Sequence, residues 1–124
     1  MRQISTEKAP AAIGPYSQAI AQGGFIFVSG QLPIDPATGA FPEGGVEAQT
    51  RQSLTNLKSI LEEAGSGLDK VVKTTVFLAD MGDFAAMNEV YSQFFTEPFP
   101  ARSAVAVKTV PKGALVEIEC IAAK

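Results

Sequence analysis

Apolar residues recur along this chain with two different periods, and the changes of period mark its elements. From Val46 to Ala64, the residues Leu54, Leu57, Leu61 and Ala64 follow at spacings of 3, 4 and 3. That repeat lines one face of an α-helix, and Gly65 supplies its C-terminal stop. The same 3, 4, 3 spacing returns at Phe84, Met87, Tyr91 and Phe94. It predicts a second amphipathic helix, capped by Asp80 or Asp83, whose aromatic stripe belongs to the core. Between the two, Val71 to Ala79 sets Val72, Thr74, Val76 and Leu78 against Val71, Lys73, Thr75 and Phe77, the β-branched alternation of a central strand.

The period of two governs both ends of the chain. Gln3 to Thr6 reads as a short edge strand, followed by an extended approach stiffened by Pro10 and Pro15. Tyr16 to Ala21 and Phe25 to Gly30 flank Gln22-Gly23-Gly24 as the arms of a β-hairpin. Gln31 to Gly45 is rich in Pro and Gly but follows too few residues to separate two domains, so it is a loop. Near the C-terminus, Pro100 to Val107 and Val116 to Ile121 read as neighbouring strands around Val110-Pro111-Lys112-Gly113. Strict alternation puts Val116, Ile118, Cys120 and Ala122 on one face, opposite Glu117, Glu119 and Ile121. On the earlier strand it separates Ser103, Val105 and Val107 from Arg102, Ala104 and Ala106. If helices cover the Val/Ile faces, Arg102 and Glu117 share an uncovered face that meets water or another subunit.

Strands and helices in this order predict an α+β sandwich: one mixed β-sheet with both helices on one face. At 124 residues and 13.0 kDa the chain suffices for a single domain, 1–124. Ten basic and 13 acidic groups leave a net charge of −3, the wrong sign for gripping phosphate backbones. Nucleic acid is therefore not an expected partner. The absence of His removes Ser-His-Asp and Cys-His catalysis together with the usual zinc sites. No glycine pattern of a nucleotide-phosphate loop and no calcium-loop spacing is present, so no cofactor is expected. The lone Cys120 permits no intrachain disulfide and suits a reducing compartment. No apolar run approaches the roughly 18 residues of a membrane span, and no signal-like N-terminus is evident, so the expected location is cytoplasmic.

Arg102 and Glu117 are charges that the strand pattern does not require. Taken alone, they read more readily as solvated strand residues or a structural ion pair than as a site. The motifs around them carry more. Pro100-Ala101-Arg102-Ser103, Lys108-Thr109-Val110 and Val116-Glu117-Ile118 resemble the signature of the RidA family of reactive intermediate deaminases, also known as YjgF-type or endoribonuclease L-PSP proteins. Ala11 to Ala19, Val28 to Pro33, Asp35 to Gly39, Lys73 to Leu78 and Phe84 to Asn88 continue the likeness in order, over practically the whole chain.

That resemblance implies a chorismate-mutase-like fold, assembled as a homotrimer around a barrel of sheets with intersubunit sites. It implies cofactor-independent hydrolysis of 2-imino acids and their enamine tautomers, such as 2-aminoacrylate or 2-iminobutyrate, to 2-oxo acids and ammonia. Such substrates link the protein functionally to the pyridoxal-phosphate enzymes that release them. Arg102 suits the α-carboxylate, because its planar fork binds through two parallel hydrogen bonds. Glu117 suits the handling of a proton as water attacks. Tyr16, Ser29, Gly30 and Asn88 match pocket positions of the family, although alone they read as a partly buried aromatic, a strand-end hydroxyl, a strand-ending glycine and an exposed helix residue. Many members carry Cys two residues after the signature Arg, where this chain has Ala104; Cys120 is expected on the core side and does not replace it. Two other readings stay open: a non-enzymatic module for small carboxylates or regulation, which would need Arg102 but not Glu117, and an endoribonuclease, disfavoured by acidity and the missing His.

Overall fold

The computed structural model describes residues 1–124. In chain order, its elements are β1 (Arg2–Ile4), β2 (Ala19–Gln22), β3 (Phe25–Gln31), α1 (Gly45–Glu63), β4 (Val71–Leu78), α2 (Phe84–Tyr91), β5 (Ala101–Ala106) and β6 (Val116–Ala123). The strands form one six-stranded sheet in the order β1-β2-β3-β6-β4-β5. Only β4 and β5 run parallel, joined through the α2 crossover. The architecture is therefore α+β with a mixed sheet, as the periodicities predict.

Packing explains the arrangement. Leu54, Leu57, Ile60 and Leu61 of α1 are fully buried against Ile26, Val28, Val76, Leu78, Val116 and Ile118 of the sheet, and each such side chain contributes roughly 1.5–3 kcal/mol of transfer free energy. Gly65 closes α1 in a Schellman motif: Ser66 N–H donates to Leu61 O and Gly65 N–H to Glu62 O. The hairpin turns on Gly23 and Gly24, whose φ values of 61° and 83° match the two left-handed residues of a type I′ turn. Asn56 is buried on α1 and donates to the carbonyls of Leu32 and Ile34, which ties the Gln31 to Gly45 loop to the helix.

Three expectations need correction. The Ser103, Val105, Val107 face of β5 is not the covered one. Parallel pairing with β4 sets Ala104 beside Val76 and Val105 beside Phe77; the buried Val76 therefore draws Ala104 toward the helices and leaves Val105 46% exposed. Parity on this edge strand is dictated by its neighbour, and its own composition loses. Second, a bulge between Val71 and Lys73 interrupts the β4 alternation, so Val71 is buried and Val72 exposed. Third, α2 ends at Tyr91, short of Phe94. Asp80 accepts from Gly82 N–H and caps the 3₁₀ turn Met81–Asp83 that leads into α2, whereas Asp83 makes no side-chain cap.

Helices cover one face of the sheet. The other carries Phe25, Phe27 and Val105, each more than two-fifths exposed. No helix of the chain is long and apolar enough to cross a membrane.

Candidate functional site

The six candidate residues separate into two groups on opposite faces of the sheet. Arg102 pairs with Thr74 in the β4–β5 register, and Glu117 pairs with Phe77 in the β4–β6 register. Thr74 and Phe77 are separated by an odd number of positions on one unbroken stretch of strand, so their partners point opposite ways. Thr74 is fully buried beneath α2, where its hydroxyl meets that of Tyr91 at 2.7 Å. Arg102 consequently lies on the helix side, and Glu117 on the open side. This corrects the shared face expected from strand alternation, and it rules out an Arg102–Glu117 ion pair within one copy.

The helix-side group is Arg102 with Asn88, Phe84 and Tyr91. Successive spacings of 4 and 3 residues bring Phe84, Asn88 and Tyr91 to one flank of α2. Arg102 Nη1 donates to Asn88 Oδ1 at 2.6 Å. The guanidinium carbon stands 4.8 Å from the Tyr91 ring centroid and 5.4 Å from that of Phe84, within cation–π range of both. Arg102 is itself exposed. One of its five N–H groups is thus engaged and the fork still reaches solvent. Burial, the largest influence, raises the Tyr91 hydroxyl above its ordinary pKa against the opposing effects of Thr74 and Arg102; the phenol stays neutral. Ala104 follows Arg102 on the same side and is half-buried.

The open-side group is Glu117 with Gly30, Ser29 and Tyr16, which all line one broad depression of about 1320 Å³. A β-bulge lies in its wall: the β3–β6 register shifts between Val28 and Gln31, so Ser29 and Gly30 together oppose the one residue Glu119. A Cβ on Gly30 would stand 2.7 Å from Glu117 Oε2. Only glycine leaves the carboxylate its place against the backbone. Ser29 Oγ donates to Ser17 O at 2.6 Å, and Ser29 N–H donates to Gln18 O at 2.9 Å. Tyr16, 54% exposed, forms part of the wall. Partial burial raises the Glu117 pKa above the usual carboxylate range, and the like charge of Glu119, two residues on along the same face, adds to it.

Sequence reasoning missed two supports. Gln18, 3% exposed, donates to the carbonyls of Thr6 and Pro10 and accepts from Thr6 N–H. It thereby holds the N-terminal segment that walls the depression, and no local pattern marks it. Phe84 and Tyr91 were legible as a helical stripe, but their second duty beneath Arg102 appears only once β5 lies beside α2. Cys120 is where parity puts it, buried in the core, with its thiol pushed up to about 12 by burial and then by Glu119.

The chain and its six-stranded mixed sheet are matched by known proteins. Residues 6–124 match the family model described as endoribonuclease L-PSP. A RutC family protein of Pyrococcus abyssi is 59% identical, over 98% of this chain and 95% of the relative. The 2-iminobutanoate/2-iminopropanoate deaminase of Salmonella typhimurium is 52% identical, over 99% and 98%. Among solved structures, E. coli TdcF with bound serine superposes with a TM-score of 0.94 at 46% identity, covering 100% of this chain and 99% of that one. The chain belongs to the RidA/YjgF endoribonuclease L-PSP family.

Proposed function

We propose that this protein hydrolyses 2-imino acids and their enamine tautomers to 2-oxo acids and ammonia, at sites completed between neighbouring copies in a homotrimer. One observation carries the proposal: a guanidinium fork and a carboxylate of raised pKa sit on opposite faces of one sheet, so a substrate touching both requires Arg102 from one copy and Glu117 from the next. The open face supplies a reason to assemble, since Phe25, Phe27 and Val105 are exposed there and a second sheet would remove them from water. The relatives support the chemistry. A deaminase of these substrates is 52% identical, and the serine-bound relative places an α-carboxylate compound in this family's structures.

In this reading Arg102 binds the α-carboxylate through the fork edge that Asn88 leaves free, which fixes the imine carbon in space. Water attacks that carbon of the protonated imine while Glu117 accepts its proton, giving a neutral tetrahedral carbinolamine. The carboxyl group then delivers the proton to nitrogen. The C–N bond breaks with loss of ammonia, and release of the hydroxyl proton leaves the 2-oxo acid. A carboxylate of raised pKa suits a group that must both take and return a proton. Tyr16, Ser29 and Gly30 line the wall where water and the imine nitrogen would lie. No residue in this scheme needs a thiol, consistent with Ala104 beside Arg102. The ribonuclease reading has less support, because the depression presents Glu7, Glu117 and Glu119 against the single ammonium of Lys112, and like charge repels phosphate. The deciding assay lets a dehydratase generate 2-aminoacrylate or 2-iminobutyrate and follows 2-oxo acid formation. Acceleration over the uncatalysed rate is expected; binding of a 2-oxo acid with no acceleration would leave a carboxylate-binding module instead.

A further inference from the structure

Arg102 stands near the end of an exposed edge strand, where an arginine side chain ordinarily samples many rotamers and loses them on binding a ligand. Here its surroundings are unusual in three ways. The guanidinium carbon is within 4.8 Å of the Tyr91 ring centroid and 5.4 Å of the Phe84 centroid, so the cation rests on two aromatic faces at once. Nη1 is held by Asn88 Oδ1 at 2.6 Å, from the same flank of α2. Tyr91 is itself fixed: it is 5% exposed, its hydroxyl meets the buried Thr74 hydroxyl at 2.7 Å, and its ring packs on Phe95 at a centroid distance of 4.7 Å. Thr74 is also the register partner of Arg102. The bed beneath the cation is therefore anchored to the strand from which the cation projects.

We propose that Phe84 and Tyr91 are positioning residues for Arg102, an aromatic bed that together with Asn88 preorganises the guanidinium so that its unengaged edge is presented to a carboxylate. The proposal deepens the deaminase reading and rests on it for the identity of the ligand. The rings act on the cation and touch no reacting atom. Asn88 fixes rotation by taking one N–H, and the rings fix the height and tilt of the plane. Preorganisation of this kind lowers the ordering cost on binding equally for substrate and transition state. Its signature is a change in KM with little change in kcat.

The test uses Phe84→Leu, Tyr91→Leu and Tyr91→Phe in the full chain, each checked for folding and oligomeric state. In the imine hydrolysis assay the two Leu variants should raise KM by about three- to tenfold, the range of a cation–π contact, with kcat within about twofold of the parent. Tyr91→Phe, which keeps the ring, should recover most of the loss. A second readout does not depend on activity: in ¹⁵N-resolved side-chain spectra, the Arg102 guanidinium of the parent should show ring-current-shifted resonances and slowed rotation about Nε–Cζ, both relaxed in the Leu variants. Leu variants with the parent's KM and Arg102 spectrum would overturn the proposal. Tyr91→Phe as impaired as Tyr91→Leu would overturn it for Tyr91, placing the effect in the hydroxyl. If Tyr91→Leu does not fold, the half-buried Phe84 decides. A parent that neither hydrolyses imines nor binds 2-oxobutyrate would defeat the deaminase reading, and the Arg102 spectra would then decide the aromatic bed by themselves.

Discussion

The two halves of the candidate site are built in opposite ways. Arg102 is held by side chains: a carboxamide at 2.6 Å and two aromatic rings on a helix that packs into the core. Glu117 is held by backbone: a bulge in β3 supplies Gly30 as a floor so close that a methyl group would meet the carboxylate at 2.7 Å. The first arrangement suits a permanent cation that must present one edge in a fixed orientation. The second suits a group whose protonation must change, since partial burial with few fixed partners lifts its pKa without locking either charge state. Neither half is a complete hydrolytic site, and one sheet lies between them. Under the proposed hydrolysis, the division calls for assembly.

The largest expected effect comes from the open-side half. Glu117→Gln keeps size and reach but loses the proton acceptor, so hydrolysis should fall by about 10² to 10⁴, while calorimetry should find 2-oxobutyrate bound within a small factor of the parent. Binding and hydrolysis lost together would make Glu117 a wall and not a proton handler. On the helix side, Arg102→Lys retains the charge but not the fork, and kcat/KM should fall by about 10², nearly as far as in Arg102→Ala. Near-normal turnover by the Lys variant would mean that attraction alone suffices, and that the guanidinium's orientation is immaterial.

Smaller changes sharpen the contrast between side-chain and backbone support. Gly30→Ala should leave folding intact, because the atom it displaces is the end of a flexible side chain, yet it should lower turnover by about tenfold through a misplaced carboxylate. Unchanged kinetics would mean that the bulge serves the sheet and not the site. The mildest effect concerns pH. Burial and the neighbouring Glu119 both favour protonated Glu117, so the carboxylate form appears only above the pH at which an ordinary Glu ionises, and activity should fall on the acid side through that raised pKa. Glu119→Gln removes the like charge and should move this limb to lower pH, with the plateau nearly unchanged. A limb that stays in place would assign it to another group.

How far the sequence reveals these halves depends on whether the signal is local. The helices and the core face of β6 follow from spacing alone, because Leu54, Leu57 and Leu61, or Val116, Ile118 and Cys120, set their own burial. The side on which Arg102 lies does not follow, since β5 takes its parity from β4: Ala104 is drawn to Val76 and Val105 is left outside. The bulges at Val71–Lys73 and Val28–Gln31 escape periodicity for the same reason, being properties of a pairing and not of one strand. Arg102 and Glu117 stand out as charges the strand pattern does not require, and Tyr16, Ser29, Gly30 and Asn88 come from family likeness, but their division into two groups comes from register. Gln18 had no signal at all, for its partners are backbone groups of an irregular segment, at Thr6 and Pro10, that no periodicity links to it.

The central claim, that each site joins Arg102 of one copy to Glu117 of another, is tested most directly by mixing two inactive variants. Arg102→Ala and Glu117→Gln subunits are co-refolded or co-expressed, and mixed oligomers are isolated with their composition verified by mass. In a trimer of either mixed composition one of the three intersubunit sites receives both native residues, so the isolated mixed oligomers should recover about a third of the parent's activity. Mixed oligomers of confirmed composition that remain as inactive as either variant alone would contradict the account.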